Sequence, residues 1–518
     1  MPRRFNTAGP CLVEDHYMLP PETRAPQIRE LIEGKHYFIV HAPRQVGKTT
    51  LIRNLSRTLT AEGKYAALTV SLESFLEGEP ETVMPQILQA IAWESEYFLP
   101  AECQPPDAAK FTGNPLAAFQ GYLSAWCAAI DRPLVLFLDE ADSIPGPVLL
   151  SVLRQLRNGY TARPRPFPHS VALIGLKDVR DYKIKIRPDA ETLGTASPFN
   201  IKVRSLTMSN FTAEEVARLL RQHTEETGQP FTPEAVEEIC RQSGGQPWLV
   251  NALAAQLTTD YDALVKDRTV SIRRSHVLAA REILVERRDT HLDSLVHYCI
   301  HEPRIRRVIQ PILTGEAVTG DQTYDDDFAF TRDLGLVTAE NGPRRIANPI
   351  YAEIISRVLI HVIQTSIPED PAGFVDMDGN LDMAKLIEGF LEFWRENGEP
   401  LLKGLRYQEA APHLVFMGYL QRIVDGGRVD REYALGTRRA DLVVRFGKTQ
   451  KEVVELKLAH APKALERGVR QVSEYAKRLG LERGYLILFD RDAKTPWEER
   501  GTVEETEADG VTVVVVRA

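Results

Sequence analysis

Short uninterrupted apolar runs and longer periodic stretches take turns along the first part of this chain. "HYFIVHA", "YAALTVSL", "PLVLFLDEAD" and "SVALIGL" are runs of strand length with no polar face. Continuous apolarity over so few residues predicts strands buried on both sides. "TTLIRNLSRTLTAEG" follows the first run with helical spacing and a glycine stop. Strand–helix alternation over residues 1–205 predicts a parallel sheet covered by helices. From 206 to 290 the period is helical. "FTAEEVARLL" opens with Thr212 and Glu215 in capping-box spacing, and "FTPEAVEEICRQSGG" opens on Thr232 and Pro233 and stops at Gly244-Gly245.

Residues 291–365 read as short helices, two short strands around an "NG" turn, and a further helix, the pattern of a small winged-helix unit. "SIPEDPAGFVDMDGN" is a Pro/Gly/Asp-rich break, so 366–400 is expected to be a linker and an amphipathic helix. Residues 401–518 then run helix, strands, helix, strand. The expected class is α/β multidomain: core, helical part, winged-helix unit and a C-terminal α/β domain.

Composition adds limits. With 43% hydrophobic and 26% charged residues the chain is of globular type and can bury real cores. No apolar run approaches the ~20 residues that cross a bilayer, so no membrane partner is expected. Five scattered cysteines have neither zinc-ligand spacing nor an even count, which favours the cytoplasm. The net charge of -9 is uneven. Residues 401–518 hold 21 Lys and Arg against 18 Asp and Glu, a balance of +3, and the preceding 400 residues carry -12. A basic segment on an acidic chain permits an anionic partner there.

The first run ends in "HAPRQVGKTT". Gly47-Lys48-Thr49 sits where a strand gives way to a helix, as a phosphate-binding loop requires, with Ala42 where the first glycine is usual. Backbone N–H groups of such a loop surround phosphates, Lys48 reaches the terminal ones and Thr49 binds magnesium. "LVLFLDEAD" ends a second buried run in Asp139-Glu140 and resembles a Walker B motif. That resemblance implies that Asp139 holds magnesium through water and that Glu140 orients the attacking water.

"FNTAGPC", "HYMLPP", "APRQVGKTT", "LDEAD", "SPFNIKVRSLTMSNFT" and "SGGQPWLVNAL" together resemble the bacterial AAA-like P-loop ATPases related to the AAA+ and STAND classes, over residues 5–360. The resemblance implies a P-loop ATPase core, a helical lid, ATP and Mg2+ as ligands, and loops that begin Ala-Pro-Arg-Gln. The expected nucleotide-binding residues are Ala42, Pro43, Arg44, Gln45, Val46, Gly47, Lys48, Thr49, Thr50 and Asp139. Gln246 and Pro247 join them, because Gly245-Gln246-Pro247 resembles the family's lid-side Gly-x-Pro turn. The arginine that completes hydrolysis is not identifiable, although Arg180 and Arg44 lie where one could act. Homo-oligomers are common among such proteins.

The C-terminal segment holds a second constellation. Asp441 lies near the start of the strand "RADLVVRF", and Glu455 and Lys457 lie two apart on "KEVVELKLA", hence on one face. Two carboxylates and a lysine on one sheet face suit magnesium-dependent phosphodiester cleavage. The segment resembles the PD-(D/E)XK nuclease superfamily, whose restriction-endonuclease-like α/β fold would then follow. Glu409 on a preceding helix, and Gln471 with Tyr475 on the following one, match the pattern, while Ala440 replaces its proline. Asp441 and Glu455 are the expected metal ligands there. An ATPase–nuclease that cuts DNA under nucleotide control, with RNA as the alternative substrate, fits defence against phage or mobile elements. The competing expectation is a nucleotide-dependent switch whose C-terminal domain binds nucleic acid or protein without cutting.

Overall fold

The structure is a computed structural model of the 518-residue chain. It describes residues 3–75, 77–176, 202–287, 290–313, 325–339, 344–364, 374–376, 380–404, 411–423, 428–435, 438–447, 449–459, 463–490 and 501–518. They form two compact units, Met1–His291 with Ala329–Leu336, and Leu292–Phe328 with Val337–Ala518.

The first unit is built on strands β1 (Tyr37–His41), β2 (Ala66–Ser71), β3 (Leu134–Asp139), β4 (Ser170–Gly175) and β5 (Lys202–Thr207). They form one sheet in the order β2-β3-β4-β1-β5, and every pairing is parallel. Every residue of β1, β3 and β4 is buried. The reason is cover on both faces. Phe38, Val40, Phe137 and Ile174 pack with Ile28 and Ile32 of α1 (Gln27–Glu33) and Leu51, Ile52 and Leu55 of α2 (Lys48–Ala61). The alternate residues Tyr37, Ile39, Leu136, Leu138 and Leu173 meet Ile87 and Ile91 of α3 (Pro80–Phe98), Phe119 and Trp126 of α4 (Pro115–Ala129) and Leu149 and Val152 of α5 (Gly146–Thr161). Each such side chain contributes about 1.5–3 kcal/mol by leaving water.

The strand β5 is not announced by an apolar run. It lies at the sheet edge, paired only with β1, and its Arg204 is exposed while Leu206 is half-buried. Beyond it come α6 (Ala213–Thr227), α7 (Pro233–Ser243), α8 (Pro247–Ala255), α9 (Asp262–Lys266) and α10 (Arg274–Arg287). The expected capping box forms: Glu215 N–H donates to the Thr212 hydroxyl and Thr212 N–H to the Glu215 carboxylate. Thr232 caps α7, and Gly244 and Gly245 end it with φ of 58° and 72°.

The second unit carries α11 (Thr290–His301) from Leu292 onward, α12 (Pro303–Leu313), the start of α13 (Asp326–Asp333), whose residues from Ala329 belong to the first unit, the strand pair β6 (Val337–Thr338) and β7 (Arg345–Ile346), α14 (Pro349–Gln364), then α15 (Met383–Gly404) and α16 (Ala411–Ile423). Its sheet contains β8 (Arg428–Leu435), β9 (Arg438–Phe446), β10 (Gln450–Leu458), β11 (Arg483–Phe489), β12 (Thr502–Ala508) and β13 (Val511–Arg517) in the order β12-β13-β11-β10-β9-β8. The sheet is mixed: β8, β9 and β10 run antiparallel, while β11 is parallel to β10 and β13. The helix α17 (Ala464–Leu479) crosses from β10 to β11 and seats Val472, Tyr475 and Ala476 on Val443, Val453 and Leu486. Among the described residues no helix is long and apolar enough to cross a membrane.

Candidate functional site

In the first unit, β1 delivers the chain to residues 42–47 and α2 takes it up at Lys48. Ala42 is fully buried and its N–H donates to the Gly175 carbonyl at 3.3 Å. It is not among the residues with positive φ, so alanine meets no backbone penalty where glycine is usual. Gln45 and Gly47 do take left-handed conformations, with φ of 58° and 98°. Left-handed residues within a turn direct successive N–H groups to one side, the basis of an anion-binding nest.

Lys48 is buried, and its ammonium donates to the carbonyls of Ala42 (2.8 Å) and Pro43 (2.9 Å). Burial lowers its pKa, and the carboxylates of Glu140, Asp139 and Asp142 oppose that shift. Asp139 is buried at the end of β3. It accepts a 2.6 Å hydrogen bond from the Thr49 hydroxyl and a 3.0 Å bond from the Glu140 N–H. Burial raises the pKa of Asp139 and of Glu140, and Lys48 pulls both back. Glu140 sits at φ 52°, a strained conformation for a non-glycine residue. Thr49 and Asp139 place a hydroxyl and a carboxylate together, a hard-oxygen donor pair that suits magnesium.

Gln246 and Pro247 lie where α8 begins. The Gln246 side chain caps α8 by accepting from Leu249 N–H at 2.7 Å, and its amide donates to the Arg44 carbonyl at 3.4 Å. It therefore touches the loop's backbone. Pro247 is buried as the first residue of α8. Gly245 is pressed against Phe211, whose N–H donates to the Gly245 carbonyl at 2.8 Å.

Three further contributors lie outside the loop and the end of β3. Cys11 N–H donates to the Thr50 hydroxyl at 3.1 Å, and Trp248 donates its indole N–H to the Thr7 carbonyl at 2.8 Å, so residues 7–11 lie against both α2 and α8. Arg24 donates to the Val46 carbonyl. Gly335, on the turn after α13, packs on the ring of Pro43: a Cβ there would lie 2.7 Å from Pro43 Cγ. Arg180 and Glu409 lie outside the described residues.

The second unit holds the other cluster. Glu455 is 1% exposed, and Lys457 Nζ donates to its Oε1 at 2.7 Å. Both belong to β10 at i and i+2, as the strand period requires. Asp441 lies on β9 one residue before Leu442, which pairs with Val454, so it neighbours Glu455 in register. Its side chain is outside the described set. Gln471 is half-buried on α17, and Tyr475, four residues on, is buried in the core. No group of three or more metal-binding side chains occurs among the described residues.

Residues 25–167 match the family model described as AAA ATPase domain. The Walker-type ATPase PABY2304 of Pyrococcus abyssi is 13% identical, with a TM-score of 0.47, and the match covers 68% of this chain and 99% of that one. The Thermotoga maritima RuvB Holliday junction branch migration motor is 15% identical at a TM-score of 0.35, over 64% and 92% of the two chains. Cdc6p from Pyrobaculum aerophilum is 13% identical at a TM-score of 0.36, over 66% and 93%. No curated protein matches the chain. The matched segment holds the loop, Lys48, Thr49, Asp139 and Glu140 together, and the first unit thus contains an AAA ATPase domain.

Proposed function

We propose that this chain is an ATPase of the AAA type whose C-terminal domain is a magnesium-dependent nuclease, cutting DNA under nucleotide control. In the first unit the chemistry is assigned to named groups. Backbone N–H groups of the loop and Lys48 bind the phosphates, Thr49 and Asp139 hold the ion, and Glu140 orients the attacking water. Magnesium, when bound, neutralises the developing phosphate charge.

The observation that carries the nuclease reading is the Glu455–Lys457 pair. A buried carboxylate such as Glu455 loses much on leaving water, and the half-buried Lys457 ammonium repays that only in part unless further partners complete the site. Apolar residues would serve a sheet core better, so the pair favours a chemical role. Asp441 beside Glu455 supplies a second carboxylate on the same stretch of sheet. The order α16, β8, β9, β10, α17, β11 supports the reading. Lys457 then stabilises charge on the scissile phosphate. Defence against phage or mobile elements is the role such a gated activity would suit.

Supercoiled plasmid, with and without magnesium and ATP, tests this against Lys48→Ala and Asp441→Ala. Cutting that needs Asp441 supports the nuclease, and its dependence on Lys48 reveals nucleotide control. If the folded wild-type protein cuts no DNA or RNA with magnesium and ATP present, the nuclease reading is lost and the nucleotide-dependent binding switch replaces it.

A further inference from the structure

Arg24 ends the short helical turn Pro21–Arg24 that precedes α1. One terminal nitrogen of its guanidinium donates to the Val46 carbonyl at 2.7 Å, inside the phosphate loop. The other donates to the Ser209 carbonyl at 2.5 Å, on the connector between β5 and α6. The plane lies over the ring of Phe211, 4.6 Å from its centroid. Phe211 in turn donates its N–H to Gly245, at the turn that starts α8. One side chain thus ties the loop to the connector that leads into the lid.

The bond to Val46 has a directional consequence. A trans peptide is planar, and its C=O and N–H point in opposite directions. A cation that holds the Val46 carbonyl on one side of the loop therefore fixes the Gly47 N–H toward the other side. Gly47 has φ 98°, a region glycine enters freely, so its own backbone does little to fix that peptide. The Arg44 carbonyl is approached in the same way by the Gln246 amide, at 3.4 Å. Between these two tethered carbonyls stands Gln45, left-handed at φ 58°. The loop's N–H groups are set from outside by donors that belong to other segments.

We infer that Arg24 is a positioning residue for nucleotide binding: through Val46 it aims the Gly47 N–H at the phosphates, and through Ser209 and Phe211 it makes that aim depend on the lid connector. The inference rests on the ATP-binding reading of the first unit. Two other roles make different predictions. An arginine that touched phosphate directly would matter more for ATP than for ADP, since ATP carries the greater charge. An arginine that only braced the fold would lower stability without lowering affinity. A Gly47 N–H aimed at a phosphate common to both nucleotides affects ATP and ADP alike.

The test uses the full chain as wild type, Arg24→Ala, Arg24→Lys and Lys48→Ala. ATP and ADP affinities are measured by titration calorimetry, and nucleotide-free melting is recorded beside them. Wild type is expected to bind both nucleotides and Lys48→Ala neither. Arg24→Ala should weaken both by a similar factor of about ten to a hundred, the loss of one hydrogen bond from a charged donor. Arg24→Lys keeps one carbonyl contact and should lose less. Affinities of both variants within about twofold of wild type, a factor well below that loss, would overturn the inference while leaving the ATP reading intact. A loss for ATP about tenfold beyond that for ADP would also overturn it, in favour of direct contact. If Arg24→Ala does not fold, Arg24→Lys decides by the same criteria. Wild type that binds neither nucleotide would overturn the ATP reading and this inference together.

Discussion

Replacing Gly245 with alanine should damage the first unit in a way the structure allows to be costed. Gly245 has φ 72°, and a Cβ there would stand 2.1 Å from the Phe211 carbonyl oxygen and 3.2 Å from its carbon. Alanine in the left-handed region costs about 1–2 kcal/mol. The overlap is with backbone, so the two segments must separate. That breaks the bond from Phe211 N–H to the Gly245 carbonyl, worth about 1 kcal/mol. It also shifts Phe211 from beneath Arg24, about 0.5–2 kcal/mol more. The sum, about 3–5 kcal/mol, is a large part of the 5–15 kcal/mol that typically holds a domain. At about 2–4 °C per kcal/mol, the melting transition of this unit should fall by about 10 °C. Gly228→Ala is the control: Gly228 caps α6 at φ 77°, but a Cβ there meets nothing within 4 Å. It should lose only the conformational cost, about 1–2 kcal/mol. Differential scanning calorimetry of the full chain reads both. If Gly245→Ala melts no lower than Gly228→Ala, the close approach of the Gly245 turn to Phe211 is wrong.

Other changes probe the two sites. Gly335→Ala places a methyl against the stiff ring of Pro43, and the strained turn must push the loop; ATP affinity should fall several-fold, and an unchanged ATP titration would refute that contact. Asp139→Asn should abolish hydrolysis yet stabilise the nucleotide-free protein at neutral pH. Burial raises the Asp139 pKa, so its ionised form costs stability. That cost is absent below the unfolded carboxylate pKa and complete above the folded one, so the gain over wild type should shrink toward pH ~4; a gain independent of pH in paired melts would contradict this. Lys457→Met strands the buried Glu455 carboxylate and should cost about 3–5 kcal/mol in urea unfolding of the second unit. Adding Glu455→Gln should recover much of it, and a double variant no more stable than the single one would argue against a coupled pair.

What could be read in the sequence follows from the range of each interaction. The loop, Asp139 and the Glu455–Lys457 pair were legible because their meaning lies within one element or its boundary. Glu455 and Lys457 needed only the strand period of two. Thr212 with Glu215 needed only three residues. The strand β5 was not legible, since an edge strand alternates and lacks the apolar run that marks β1, β3 and β4. Arg24 was invisible for a different reason. Its partners are 22 and 185 residues away and are backbone carbonyls, which carry no side-chain signature. Cys11 N–H on the Thr50 hydroxyl and Gly335 on the Pro43 ring likewise join segments far apart in the chain, a pairing that local periodicity does not report. Gln246 stands out in the sequence through its place in Gly245-Gln246-Pro247, whereas its side-chain contact with the Arg44 carbonyl has no sequence signal.

The charges of the second unit bear on where DNA would bind under the proposed reading. The helix α13, which precedes the strand pair β6–β7, begins with Asp326 and Asp327. Asp327 accepts from Arg304 and Arg307 of α12, each at 2.7 Å, and Asp325 accepts from Arg344 at 2.6 Å. Arg344 also lies over the ring of Phe328, 4.3 Å from its centroid. These arginines already serve the acidic start of α13, whereas a DNA-reading helix needs cations turned to phosphate. Two aspartates in its first turn would repel the backbone it had to approach. The basic balance of residues 401–518, which also carry Asp441, Glu455 and Lys457, then makes the C-terminal sheet the better place for a nucleic acid.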